Sequence, residues 1–481
     1  MIALDFLGPV APLGVDLILI VGALAILLTD IAMPAGDKRI LSYGTMGVLL
    51  AALVGCFTLE IDGSALGGAY VGDAMARFLK VVFIGGGFLA VLGSQAHIAE
   101  STPRRQGEYY ELLLFSLLGM TLLAGTRDII LLVVCFELMG IPLYVLAAWE
   151  RKDAKAVEGA LKFFMVGAVS SVTILFGLSF LFGLAQTTAI PELAMWVASH
   201  RSAGVLVGGA IALAGMGFKL GVFPFHMWVP DTYESAETPL VAYMSVAPKA
   251  AGLAALVQLL YPADGALLNE VAVILLALAT ATLLAGNFLA LNQSNVKRML
   301  GYSGVAHMGF LIMALLCGNE LGLQMLLFYL LAYLFTNVGA FLVIHAVAKG
   351  GGDDTVASFD GLGRRSGWLG FAMLIFLLSL AGIPFVVGFW AKLYVFLAAW
   401  TAGLGWLVVL GAVLSVLALF YYLRVARAMF MNPPANEEPL TVEAWTNFAI
   451  ALCLLFVVGM GLMPRPFVEA AGVAAKAFFA S

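Results

Sequence analysis

Lys162, Lys219, Lys249 and Lys392 lie inside long apolar stretches, and one carboxylate, Glu137, lies inside another. A charge at the centre of a bilayer costs about 2.5–3.5 kcal/mol on insertion scales. Desolvation disfavours the charged form of a buried amine or carboxylate, so such groups exchange protons readily. A row of them suits proton transfer. Glu137 sits mid-span in VVCFELMGIPLYVL and reads as the one acidic residue at that depth. It is either a counter-charge for a buried lysine or a carboxylate that tunes and passes protons. Lys219 lies about a turn before Pro224, Lys249 follows Pro248, and Lys392 lies just past Pro384. Lys219 and Lys249 are too deep to snorkel comfortably, whereas Lys392 could snorkel from a short half-helix. Lys162 follows Glu158 by four residues, so an interfacial ion pair competes with a relay role.

Histidines add candidates. His307, in KRMLGYSGVAHMGF, could bridge two lysines, because an imidazole both donates and accepts. A histidine satisfied by a neighbouring helix is the competing reading. His226 falls in an interrupted span, where it faces a water-filled entry or caps loose backbone groups. His97, His200 and His345 lie near span ends and are expected at the interface or in solvent. No two histidines have the spacing of metal ligands.

The surroundings of these residues are apolar. The chain has 481 residues, 63% hydrophobic and 11% charged, with a mean hydropathy of +1.04. Soluble domains carry roughly 25% charged residues, so this is an integral membrane protein. The net charge of −5 is small and says nothing about nucleic acid, but no basic, aromatic-laced patch is present, so no nucleic-acid partner is expected. Cys56, Cys135, Cys317 and Cys453 are scattered in apolar runs and read as small helix residues. No dinucleotide fingerprint, phosphate loop or metalloprotease motif occurs, so no bound cofactor or metal is expected. The opening MIALDFLGPVAPLG carries Asp5 and no basic region, so the first span is expected to be retained.

Apolar runs of 18 or more residues mark about fourteen spanning helices, an all-α membrane fold. Lysine and arginine concentrate in alternate loops, as at Arg104, Arg105, Arg151 and Lys152, with fewer on the opposite side, Arg77 and Lys80 among them; this puts the rich loops in the cytoplasm and Lys80 and both termini on the outer side. Span seven, GMGFKLGVFPFHMWVPD, is broken near Pro224; span twelve, LSLAGIPFVVGFWAKLYVF, near Pro384. The breaks are five spans apart, which gives two five-helix repeats of inverted orientation. The expected divisions are 1–107 for three leading helices, 108–262 and 263–430 for the repeats, and 431–481 for a last helix and tail.

GFKLGVFPFHMWVPDTYESAETPLVAYMSVAPKAAG, NVKRMLGYSGVAHMG and GIPFVVGFWAKLYVF resemble the antiporter-like membrane subunits of respiratory complex I. Among them the chain is similar to the subunit N family of bacterial NADH-quinone oxidoreductases, itself similar to mitochondrial subunit 2. It ends after about fourteen spans without the long lateral helix of subunit L. FYLLAYLFTNVGAFLV lacks the histidine and lysine usual in subunits L and M, and Lys392 stands where subunit M has a glutamate. The resemblance implies that Glu137, Lys219, Lys249 and Lys392 carry protons, with Lys162, His226, His307 and Tyr302 in lesser roles. It further implies one proton channel coupled to quinone reduction elsewhere, in a bacterial inner membrane. Neighbouring membrane subunits would be partners, and quinone, flavin and iron–sulfur clusters would belong to other subunits. Two other readings remain: a subunit of a sodium/proton antiporter or membrane-bound hydrogenase, and a scaffold that transports nothing. The five buried charges argue against the scaffold.

Overall fold

The computed structural model describes residues 8–34, 36–434 and 437–480; Asp5 lies outside them. Twenty α-helices follow in chain order. They are α1 (Gly14–Ala32), α2 (Arg39–Thr58), α3 (Ala74–Ser101), α4 (Gln106–Leu123), α5 (Ile129–Ala147), α6 (Ala154–Ala185) and α7 (Ile190–Ser199). Next are α8 (Ala203–Leu220), α9 (Trp228–Ser235), α10 (Thr238–Met244), α11 (Ala247–Leu260), α12 (Pro262–Leu291), α13 (Val296–Leu315) and α14 (Glu320–Lys349). The last six are α15 (Leu362–Arg365), α16 (Gly367–Ala381), α17 (Val387–Thr401), α18 (Gly405–Met431), α19 (Ala444–Leu462) and α20 (Arg465–Ala480). A short antiparallel hairpin, β1 (Gly63–Ala65) with β2 (Tyr70–Gly72), joins α2 to α3.

Eleven segments are long and apolar enough to cross a membrane. α4 and α13 have the length, at 18 and 20 residues, but open on polar turns bearing Glu108 and Lys297. Half-helices α16 and α17 supply one further crossing. Among the described residues the chain thus crosses fourteen times, as the sequence implies. Short polar side chains start these helices by accepting from free backbone N–H groups: Asp73 from Ala76, Asp128 from Ile130, Ser202 from Val205 and Asn319 from Gly322.

Burial sorts centre from rim. The α10–α11 segment is 100% buried over its most apolar window and α14 94%, against 33% for α6 and for α18. The rim helices present Val169, Val172 and Phe420, each about two-thirds exposed, as a lipid-facing surface. α4, α5, α6, α8–α9 and α10–α11 form the first repeat; α12, α13, α14, α16–α17 and α18 form the second, inverted one.

The fourth member of each repeat is broken, and the ends match. α8 stops at Gly221 (φ +69°), whose N–H donates to Phe218 O while Val222 N–H donates to Gly217 O. α16 stops at Gly382 (φ +86°), which donates to Ser379 O while Ile383 donates to Leu378 O. Only glycine adopts this left-handed turn freely, and the paired bonds satisfy carbonyls that lipid could not. Pro224 and Pro384 lie just beyond, in the connecting segments, so the helices end before them.

Three expectations need correction. A third crossing is interrupted: α10 ends at Met244 and α11 resumes at Ala247, because Pro248 suits a first turn but disfavours helix before it. Asn337 Nδ2 on α14 donates to Ser245 Oγ in that gap at 2.6 Å. The expected tail is α20, whose Ala471, Ala474 and Phe478 face is buried in packing on α3 and α14. A second acid within a span is more buried than Glu137: Asp16, in the first turn of α1, is 1% exposed. Lys80, expected near the outer surface, is 0% exposed on α3 and donates to Asp16 Oδ2 at 2.5 Å.

Removing one partner of a buried pair strands the other charge, at a cost of about 3–5 kcal/mol. Asp16→Asn and Lys80→Met should each lower the melting temperature of the purified protein, followed by thermal unfolding in detergent. The double variant should be no less stable than either single one.

Candidate functional site

Three amines sit at the three helix interruptions. Lys219 is in the last turn of α8, Lys249 in the first turn of α11, and Lys392 in α17 facing the end of α16. Their exposures are 6%, 1% and 6%. Each head group packs against a glycine. A Cβ on Gly140 would stand 3.1 Å from Lys219 Nζ, one on Gly304 3.0 Å from Lys249 Nζ, and one on Gly382 3.6 Å from Lys392 Nζ. Absent side chains therefore make room for the amines.

Their electrostatic settings differ. Lys219 Nζ donates to Tyr144 OH at 3.2 Å and lies 4.0 Å from Glu137 Oε1. Glu137 also accepts a short hydrogen bond from Ser171 Oγ on α6. Two unit charges at 4 Å attract by about 4 kcal/mol at an effective dielectric of 20, and by less here because Glu137 is a third exposed. Lys392 Nζ donates to Ala381 O, a carbonyl at the negative end of α16, at 3.0 Å. Lys249 Nζ has no protein hydrogen-bond partner among the described residues and stands at the positive end of α11. The helix dipole thus supports an ammonium at Lys219 and Lys392 and opposes one at Lys249, by roughly 0.3–2 kcal/mol each.

Between the lysines lie cavities and hydroxyls. A small apolar cavity bounded by Met139, Tyr144, Phe163 and Trp228 joins Lys219 to Met244 and Pro248, beside Lys249. Tyr333 OH is, like Lys249 Nζ, 3.0 Å from the position a Gly304 Cβ would take. His307, within the field of both Lys249 and Lys392, shares a 2.6 Å hydrogen bond with Tyr329 OH through Nδ1. Its Nε2 lies 3.4 Å from Tyr422 OH, itself 2.5 Å from Ser303 Oγ. A second small cavity runs from His307 past Tyr333 and Thr336 to Ser379, Gly388 and Ala391, next to Lys392. Thr336 Oγ1 and Ser379 Oγ are 3.0 Å apart across it.

Glu137, Lys219, Lys249, His307 and Lys392 are thus brought into one row. Lys162 is not in it. It is 48% exposed and pairs with Glu158 at 2.8 Å and Asp231 at 3.0 Å, and Arg298 shares Asp231 at 2.8 Å. Half-buried Arg298 also pairs with Glu234 at 2.8 Å, and buried Lys297 pairs with Asp354 at 3.0 Å. His226 and Tyr302 form a separate contact with ring centroids 6.1 Å apart in the span-seven break. His345, expected near solvent, is 5% exposed.

Sequence reading missed Tyr144, Ser171, Tyr329, Tyr333 and Tyr422. A signal existed: Tyr329 and Tyr333 are four apart on a mostly apolar helix, so they share a face.

Inverted repeats with paired broken helices around a buried row of amines define an antiporter-like, ion-translocating membrane protein. Residues 126–418 match the model of the NADH:quinone oxidoreductase/Mrp antiporter membrane family. NADH-quinone oxidoreductase subunit N of Moorella thermoacetica is 37% identical over 97% of this chain and 98% of its own length. That of Trichlorobacter lovleyi is also 37% identical, over 96% of each. The chain belongs to this subunit N group of the NADH:quinone oxidoreductase/Mrp antiporter family. A chain of respiratory complex I from Thermus thermophilus superposes with a TM-score of 0.82 at 29% identity, covering 95% of this chain and 99% of that one. A chain of the Mrp complex from Dietzia sp. superposes with a TM-score of 0.82 at 18% identity, a likeness of fold alone.

Gly304→Ala places a methyl 3.0 Å from Lys249 Nζ and Tyr333 OH, and one of them must shift. The variant should lower proton pumping several-fold in proteoliposomes, read with a pH-sensitive dye. Gly47→Ala, whose Cβ meets nothing within 4 Å, should pump normally.

Proposed function

We propose that this chain is the subunit N of a bacterial NADH-quinone oxidoreductase and carries one proton channel. The observation that carries the reading is the placing of Lys219, Lys249 and Lys392 at three helix interruptions, with Glu137 4.0 Å from the first. Glu137 supports an ammonium on Lys219. When a conformational or electrostatic signal weakens that pair, the Lys219 proton moves through the cavity beside Pro248 toward Lys249. Lys249, least supported as a cation, passes it by Tyr333 and His307 to Lys392, where the α16 carbonyl end receives the charge. Lys392 releases it to the outer side. Lys162, His226 and Tyr302 act outside this row, Lys162 within its surface ion pairs.

The remaining assignments follow from that role. The proton-carrying repeats are 108–262 and 263–430, with 1–107 and 431–481 as flanking helices. The membrane is the bacterial inner membrane, and the Arg104, Arg105, Arg151 and Lys152 end of the bundle faces the cytoplasm, which leaves both termini outside. Flavin, iron–sulfur clusters and quinone belong to other subunits. A neighbouring membrane subunit covers the α5 face. Ile130, Val134 and Ile141 are 61%, 55% and 54% exposed there, and Glu137 emerges among them. A carboxylate at that depth does not suit lipid but suits a protein contact.

Glu137→Gln keeps the shape and removes the charge. The complex should assemble, while coupled pumping and quinone reductase activity fall several-fold, independently of sodium. Full pumping in that variant would sink the relay reading, and pumping that requires sodium would favour an antiporter.

A further inference from the structure

The bundle end remote from the β-hairpin holds a cluster that the proton row does not use. His97 lies near the end of α3, Glu150 just after α5, Glu237 between α9 and α10, and His345 near the end of α14. A ligand atom from each of His97, Glu150 and Glu237 lies within 4.8 Å of the others. His97 Nε2 is 3.4 Å from Glu237 Oε1. In a tetrahedral site with bonds of about 2.0–2.1 Å, neighbouring ligand atoms are about 3.3 Å apart. The His345 ring stands edge-on to His97 with centroids 5.5 Å apart.

Buried, unsatisfied atoms point the same way. The Glu237 side chain is 4% exposed, and apart from the His97 imidazole 3.4 Å from Oε1 neither of its oxygens has a well-formed hydrogen bond. His345 is 5% exposed, and its Nε2 has no hydrogen-bond partner. Polar atoms buried without partners are rare and call for a missing partner. Two carboxylates face each other here, so the missing partner is a cation. The nearby amine, Lys349, is engaged by Glu100 at 3.0 Å and by Glu443. The His97 side chain is 28% exposed and Glu150 is half-buried, which opens the cluster to an arriving ion.

We propose that His97, Glu150 and Glu237 bind a zinc-class divalent transition-metal ion, with His345 or water completing a four-coordinate shell. An imidazole with two carboxylates suits zinc better than magnesium or calcium, which favour oxygen-only shells of six or more ligands. The ion would tie α3, the α5–α6 loop, α14 and the α9–α10 junction together, next to the segment that leads to Lys249. Sequence spacing hides the site because its ligands come from four separate stretches.

The test uses the intact complex containing the full chain, stripped with EDTA, equilibrated with zinc chloride and desalted. Zinc is counted by mass spectrometry, and its ligands are read by X-ray absorption at the zinc edge. Wild type should retain one more zinc per complex than His97→Ala or Glu150→Gln, in a nitrogen and oxygen shell with an imidazole contribution. Glu150 lies in a half-exposed loop, so loss of the ion in Glu150→Gln cannot be laid to unfolding. Equal zinc in wild type and both variants, or no retained zinc in wild type, overturns the site.

Discussion

A charge inside a bilayer persists only where protein replaces the water that would otherwise solvate it, and the same holds for a backbone carbonyl freed from its helix. This chain meets both demands at the same places. The glycine turns at Gly221 and Gly382 end two helices in mid-bundle, and the freed carbonyl ends lie beside Lys219 and Lys392. A continuous helix would offer these amines no dipole end. An amine-free break would leave a negative helix end facing apolar packing. The interruption before Pro248 presents the opposite end of a helix to Lys249, which makes the row uneven. In the proposed relay, that unevenness would let a proton be held at either side and passed through the middle.

The remaining architecture protects this arrangement. The segments that carry or contact Lys249, α10–α11 and α14, are the most buried, and the rim helices present apolar side chains outward. Asp16 and Lys80 join α1 to α3 through a buried ion pair. Such a pair adds little net stability, because desolvating both charges offsets their attraction. Glu137 is different: it is partly exposed on a lateral face, where the proposed neighbouring subunit would dock.

Much of this was legible in the sequence for simple physical reasons. Hydropathy counts crossings, and an ionisable residue within an apolar run is conspicuous, so about fourteen spans and four of the five row residues, Glu137, Lys219, Lys249 and Lys392, stood out, with His307 as a lesser candidate. The prolines announced two breaks but misplaced their ends by two or three residues, since glycine, not proline, closes the helices. Pro248 was read beside Lys249 without its consequence for span eight. The tyrosines and serines around His307 come from α13, α14, α16 and α18, and only packing assembles them. Lys80 escaped because a lysine near a span end looks like an interfacial anchor until its partner on another helix is known.

The central claim is that Lys249 is an obligatory step between two better-supported amines. It is tested most directly by the number of protons translocated per NADH oxidised in proteoliposomes holding the assembled complex. Lys249→Leu is predicted to lower that ratio, and Lys249→Arg, which keeps a fixed charge but cannot give up its proton, to lower it as well. An undiminished ratio in Lys249→Leu would contradict the account.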